Sequence, residues 1–265
     1  MTPALEVSDL AVRFGGVTAL AGISFQVAPG GVTSLIGPNG AGKTTAFNVI
    51  TGFQRPTSGR VSHDGVAITG WRPHRIAARG LVRTFQKTSV FPGLTVTENV
   101  LTGLHVRGRV GFGAALFRRS RVGEEERRLA ADAEQLIGFV GLAARRDTHA
   151  QALAYGEQRL LELAIAMAAR PRLLLLDEPA SGMTASEKVA VAGLIAKIRD
   201  TGVTVFLVEH DMRLVMGISD RVLVLNYGRL IADGRVAEVR RNPDVIQAYL
   251  GTQADAVRER ASGPC

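Results

Sequence analysis

The chain has 265 residues, 46% hydrophobic and 21% charged, a balance that suits a globular protein with a sizeable core and excludes a disordered one. The net charge is +8, yet the densest basic cluster, Arg118, Arg119 and Arg121, is followed at once by Glu124, Glu125 and Glu126. That reads as a solvated face and argues against nucleic-acid binding, while the single cysteine, Cys265, excludes an intrachain disulfide.

Leu5–Phe14 and Ala19–Val27 mix apolar and polar residues around a Gly15-Gly16 turn and read as two strands. After a second turn at Pro29-Gly30-Gly31, Val32–Ile36 is a short apolar strand. It runs into a glycine loop, and Lys43–Thr51 then reads as a helix, so strand, loop and helix form one βα unit. Thr95-Val-Thr-Glu98 has capping-box spacing and predicts a helix start. Residues 107–123, rich in glycine and arginine, read as a loop or a variable insertion, and Glu124–Val140 as a helix with Leu129, Leu136, Ile137 and Val140 available for one face. A helical subdomain is expected over about 88–160.

The last third alternates strand and helix. Leu173–Leu176 is an apolar strand ending on Asp177, Ala185–Arg199 a helix, and Val203–Val208 and Arg221–Leu225 two more strands. This alternation predicts an α/β fold with a mostly parallel sheet and helices on its faces. The N-terminal strands are expected to form an antiparallel β subdomain. One domain is expected over residues 1–251, with 252–265 a disordered polar tail. Met1–Leu10 carries Glu6 and Asp9 and does not read as a secretory signal. The most apolar region, Leu160–Leu176, is interrupted by Glu162, Arg170, Pro171 and Arg172 and does not read as a membrane span.

Gly37-Pro38-Asn39-Gly40-Ala41-Gly42-Lys43-Thr44 fits the P-loop pattern G-x-x-x-x-G-K-[ST], with Thr45 following it. Glycines allow successive backbone N–H groups to face an anion, and the helix start adds its positive dipole end. Lys43 is expected to reach the β- and γ-phosphates of ATP, and the Thr44 hydroxyl to ligate Mg²⁺. Asp177 ends a buried strand, where a carboxylate can hold Mg²⁺. Glu178, one residue on, is placed to polarise an attacking water as general base.

Together these residues resemble the ATP-binding cassette family, over about Leu5 to Gly251. Several further matches stand in the family's order. Gln86, in Arg83-Thr-Phe-Gln86, resembles the Q-loop glutamine that touches Mg²⁺ and couples to a membrane partner. Leu153-Ala154-Tyr155-Gly156-Glu157-Gln158 sits where the signature Leu-Ser-Gly-Gly-Gln belongs, with alanine for its serine and tyrosine for its first glycine. Pro179-Ala-Ser-Gly-Met183 resembles the D-loop, whose usual last acidic or amide residue is Thr184 here. His210 resembles the switch histidine, catalytic with Glu178, and Phe14 the aromatic that stacks on adenine.

The resemblance implies a P-loop ATPase fold with a helical signature subdomain. It also implies a head-to-tail pair with a second cassette, identical or different, that sandwiches ATP between Lys43 and the partner's signature. The Leu-Ala-Tyr-Gly signature, Leu94-Thr-Val-Thr-Glu-Asn-Val100, Met216-Gly-Ile-Ser-Asp-Arg221 and Asn242-Pro-Asp-Val-Ile-Gln-Ala-Tyr-Leu-Gly251 resemble the ATPase subunits of branched-chain amino acid importers. In such importers the partners are two transmembrane permease subunits and a substrate-binding protein, and the ATPase sits on the cytoplasmic face of the inner membrane. The same motifs fit cassettes for urea, aromatic acids or lipopolysaccharide export. A soluble cassette acting on ribosomes or DNA would resemble a tandem or coiled-coil-interrupted chain, which this is not.

Overall fold

The computed structural model describes residues 2–84, 90–105 and 119–249. Strands β1 (Leu5–Phe14) and β2 (Val17–Val27) form an antiparallel hairpin whose register pairs Phe14 with Val17. With β4 (Ser58–His63) and β5 (Val66–Ala67) they make a four-stranded sheet in the order β2-β1-β4-β5. The hairpin turn is tighter than the sequence suggests, since β2 begins at Val17 rather than Ala19. Glycines at 15 and 16 allow the chain to reverse within two residues, Gly15 with a φ of 56°.

The second sheet has six strands. Its order is β10 (Arg229–Gly234), β9 (Arg221–Asn226), β3 (Val32–Ile36), β8 (Thr204–Val208), β7 (Leu173–Asp177) and β6 (Leu81–Arg83). Only the β10–β9 pair is antiparallel. Strands β3, β7 and β8 are buried at every residue, as parallel strands covered on both faces must be. Alternation still sorts their side chains. Leu173, Leu175, Phe206 and Val208 face the antiparallel sheet and helix α1 (Lys43–Ile50), while Leu174, Leu176, Val205 and Leu207 face the helical half. On the first face Phe206 packs its ring against Phe47 at 5.1 Å and Phe25 at 5.7 Å.

The other helices are α2 (Pro73–Ala78), α3 (Val96–His105), α4 (Arg119–Phe139), α5 (Tyr155–Ala168), α6 (Ala185–Asp200), α7 (Met212–Ile218) and α8 (Val236–Val239), with residues 243–249 also helical. The capping box before α3 forms: the Thr95 N–H donates to Glu98 Oε2 at 2.7 Å, and the Glu98 N–H to Thr95 Oγ1 at 3.2 Å. One expectation is corrected. The loop read over 107–123 is helical from Arg119 onward. Arginine and glutamate are good helix formers, and a single interior glycine such as Gly123 costs only about 1 kcal/mol. The rest of that stretch, 107–118, lies outside the described residues. The helical segment drawn over 88–160 holds α3, α4 and the start of α5, which runs on to Ala168.

Phe206 joins both layers, so Phe206→Ala is expected to lower unfolding free energy by about 3–5 kcal/mol in denaturant titrations. A loss under about 1 kcal/mol would show that the aromatic trio does not hold the layers together.

Candidate nucleotide site

Three neighbouring parallel strands end on one edge of the sheet. Leu35 of β3 stands opposite Val208 of β8, and Val208 opposite Asp177 of β7. The residues that follow each strand therefore converge: Gly37–Lys43 after β3, Glu178 after β7, His210 after β8. This is the carboxyl edge, where ligands of parallel α/β sheets bind.

The loop after β3 turns on Gly37, Gly40 and Gly42, with φ values of 150°, 78° and 106°. Gly42 caps α1 in the left-handed region, without a side-chain cap. A Cβ there would stand 2.6 Å from the Ala19 carbonyl oxygen and 2.8 Å from Leu20 Cδ2. Only glycine lets the loop lie this close to β2. The first-turn N–H groups of α1 are left to an outside acceptor, which is the chemistry of an anion site.

Lys43 is buried, and its Nζ donates to the Gly37 carbonyl at 2.7 Å and the Pro38 carbonyl at 2.9 Å. Burial lowers its pKa, against the opposing pull of the Glu178 and Asp177 charges. Bound phosphates would oppose that lowering further. Thr44 is exposed on the next position and Thr45 half-buried.

Asp177 is buried and paired with Arg83, whose Nη2 lies 2.7 Å from Asp177 Oδ2. Arg83 Nη1 donates to Asn48 Oδ1 at 2.7 Å and Thr51 Oγ1 at 3.1 Å, both on or at the end of α1. One guanidinium thus ties β6, β7 and α1 together. Sequence reading quoted Arg83 only as part of a motif and gave it no role. A lone arginine at the end of a three-residue strand carries no signal of partners so far along the chain. The Asp177 carboxylate and Thr44 hydroxyl are hard oxygen donors, a set that fits Mg²⁺ when phosphates and waters complete the shell.

Glu178 has a φ of 51°, the left-handed region that side-chain-bearing residues rarely adopt. Its N–H donates to the Val208 carbonyl at 2.9 Å, and Glu178 Oε1 contacts His210 Nε2 at 2.5 Å. The expected base and switch histidine therefore touch. Glu209, between β8 and His210, is buried as well, and sequence reading did not single it out.

Phe14 stands half exposed at the end of β1, on the hairpin whose second strand runs past Gly42. An exposed ring there suits a flat partner. On the far side of the loop, a Cβ on Gly37 would strike the Leu225 carbonyl, so β9 backs the P-loop closely. Tyr249 packs against the small core cluster that includes Ile36 and Val222, and a backbone hydrogen bond joins its hydroxyl to Gly37. Burial pushes the Tyr249 pKa up to about 12. Tyr249 is therefore a support of the P-loop.

The signature residues Ala154, Tyr155, Gly156 and Glu157 stand on a different element, the N-terminal end of α5. Ala154 is its N-cap, and the Ala154 N–H donates to Glu157 Oε2 at 3.0 Å. Gly156 is buried against Glu187: a Cβ would come within 3.0 Å of the Glu187 carboxyl carbon. Tyr155 lies over Gly182 of the D-loop segment, and Arg159 donates to its hydroxyl at 2.8 Å. Arg159 is in turn paired with Glu162 at 2.8 Å, both buried. The tyrosine that replaces glycine is thus built into a local cluster. Thr184, the other departure, caps α6 by accepting from the Glu187 N–H at 3.4 Å and donating to Glu187 Oε2 at 2.7 Å. Gln86 lies outside the described residues.

Residues 20–181 match the ABC transporter family, and residues 229–255 match the branched-chain amino acid ATP-binding cassette transporter family. The chain belongs to the ABC transporter family. This cassette is 47% identical over 250 residues to the high-affinity branched-chain amino acid transport ATP-binding protein BraF of Pseudomonas aeruginosa, covering 94% of this chain and 98% of that one. It is 42% identical over 250 residues to the corresponding protein LivG of Escherichia coli, with coverage of 94% and 98%. Among solved structures, the ADP conformation of an ATP-binding cassette of an ABC transporter superposes with a TM-score of 0.83 at 31% identity, covering 95% of this chain and 100% of that one. The expected fold class is borne out: a mostly parallel sheet, an antiparallel β subdomain and helices. This cassette binds nucleotide and is an ATPase. Among its described residues no helix is long and apolar enough to cross a membrane.

Arg83→Leu removes the ion-pair partner of the buried Asp177 and is expected to cost about 3–5 kcal/mol of stability. Adding Asp177→Asn should recover part of that loss in the same unfolding titrations. Wild-type stability for Arg83→Leu alone would contradict the role given to this pair.

Proposed function

We propose that this chain is the ATP-hydrolysing subunit of an importer of branched-chain amino acids. The observation that carries the reading is the convergence of Lys43, Asp177, Glu178 and His210 on one sheet edge, reached from three adjacent strands. The branched-chain amino acid transport relatives and the match over residues 229–255 support the cargo.

In this reading Gly37–Thr45 cradle the phosphates, Phe14 stacks on the adenine, and Lys43 exchanges its two carbonyl partners for phosphate oxygens. Thr44 and Asp177, joined by Gln86, would hold Mg²⁺, which would supply positive charge against the phosphate oxygens. Glu178 accepts a proton from a water as the water oxygen bonds the γ-phosphorus and the bond to the ADP oxygen breaks. His210 donates from Nε2 to Glu178 and keeps that carboxylate aimed. The left-handed backbone at Glu178 accompanies its contact with His210 at the strand end.

The half-site is completed in trans. A second cassette, identical or different, brings the equivalents of Ala154, Tyr155, Gly156 and Glu157 to the γ-phosphate side. The helix N-terminus at Gly156 supplies donors that the missing serine would have shared. The pair works from the cytoplasmic face of the inner membrane, bound to two permease subunits and fed by a substrate-binding protein, with no nucleic acid involved.

Lys43→Ala is expected to abolish nucleotide binding in fluorescence titrations with a labelled ATP, and retained affinity would remove Lys43 from the site. In vesicles holding the permeases and the second cassette, ATP turnover should rise when binding protein loaded with leucine is added. A rise with urea or an aromatic acid instead, and none with leucine, would overturn the cargo but not the ATPase.

A further inference from the structure

Glu209 has no role in the reading above, yet its side chain is only 3% exposed. An ionised carboxylate in such a place costs several kcal/mol unless its oxygens are hydrogen-bonded. The donors it finds are backbone groups from two separate loops. Oε1 accepts from the Ala180 N–H at 2.8 Å. Oε2 accepts from the His210 N–H at 3.0 Å, with a longer contact from the Asp211 N–H at 3.4 Å. Ala180 lies two residues beyond Glu178 on the loop after β7, while His210 and Asp211 are on the loop after β8.

The result is a closed ring. From Glu178 the backbone runs to Ala180, whose N–H bonds Glu209. From Glu209 it runs to His210, whose ring returns to Glu178. A second tie lies beside it, where Lys188 of α6 holds Asp211, the N-cap of α7, at 2.7 Å. A side chain that served its own strand alone would bond within its own loop. Glu209 instead spans the two loops that carry the base and the histidine, and it does so through rigid main-chain atoms.

We propose that Glu209 is a positioning residue for ATP hydrolysis, which locks the loop carrying Glu178 to the loop carrying His210 so that the two side chains stay in register. It touches no reacting atom and acts through His210 and Glu178. The inference rests on the assignment of those two residues as the hydrolytic pair. Because the loop after β7 continues through Ser181 and Gly182 to Tyr155, the same carboxylate connects the hydrolytic pair to the signature end of the molecule.

The test compares the full-length wild type with Glu209→Ala and Glu209→Gln in three readings: steady-state ATPase, affinity for a fluorescent ATP analogue, and the ring resonances of His210 in histidine-labelled protein. Displacing catalytic groups by about an ångström lowers kcat by about tenfold to a hundredfold, and that loss is expected for Glu209→Ala. Nucleotide affinity should stay within about twofold of wild type, since the phosphate cradle is untouched. The His210 resonances should move toward those of a free imidazole. Glu209→Gln keeps an acceptor for Ala180 but turns an amide donor on the His210 N–H, so its kcat should fall between the other two. Should Glu209→Ala fail to fold, Glu209→Gln decides by the same readings. Unchanged kcat and unchanged His210 resonances, with only the melting temperature lowered, would overturn the inference and leave it a packing residue. Wild-type turnover by a Glu178→Gln protein would instead strike at the hydrolytic pair itself, whatever the Glu209 variants do.

Discussion

The site depends on the parallel register of β3, β8 and β7. Leu35, Val208 and Asp177 stand side by side, so three loops that are distant in sequence begin at the same height. A slip of one residue in any strand would reverse its faces, exchanging Leu173 and Leu175 with Leu174 and Leu176 between two different cores. The hydrophobic sorting that stabilises the sheet is therefore also what aligns Lys43, Glu178 and His210. Fold and site are held by the same contacts.

On that edge, uncommon backbone and buried charge accumulate. Gly42 is squeezed against β2, Glu178 sits at a left-handed φ, and Lys43, Asp177 and Glu209 are all buried. Left-handed backbone at a residue with a side chain costs on the order of 1–3 kcal/mol and persists where the surroundings impose it. Here the imposing contacts are the Glu178 N–H to Val208 and the Ser181 N–H to the Glu178 carbonyl. Each buried charge has a partner: two carbonyls for Lys43, Arg83 for Asp177, three N–H groups for Glu209. Of these partners, the two carbonyls on Lys43 are the ones that phosphate oxygens would replace in the proposed reading.

Much of this was legible in the sequence, for a physical reason. Val32–Ile36, Leu173–Leu176 and Val203–Val208 are short, mostly apolar runs of the kind buried strands use, and each is followed by a glycine loop, an acidic pair or a histidine. What was not legible depends on partners far along the chain. Arg83 meets Asn48, Thr51 and Asp177, and Glu209 meets Ala180, and no local pattern announces such pairs. The strand β4 is polar, β10 is a polar edge strand, and β6 is only three residues long, so periodicity does not reveal them. The start of α4 was misplaced because glycine-rich sequence around Arg119 reads as loop. The Tyr155–Arg159 pair, by contrast, has helical i,i+4 spacing and could have been found.

The departures in the signature also acquire a meaning. Tyr155 sits on Gly182 and is held by Arg159, so the signature end and the D-loop are in contact within one chain. Thr184 supplies an N-cap, which an acidic or amide residue would also supply. Neither departure touches the Glu178–His210 contact that the proposed reading makes hydrolytic. Single-turnover hydrolysis by Glu178→Gln protein tests that pair most directly. The account predicts that ATP binds as in wild type and that the chemical step slows by on the order of a hundredfold or more, the usual worth of a general base. A chemical step at the wild-type rate would contradict it.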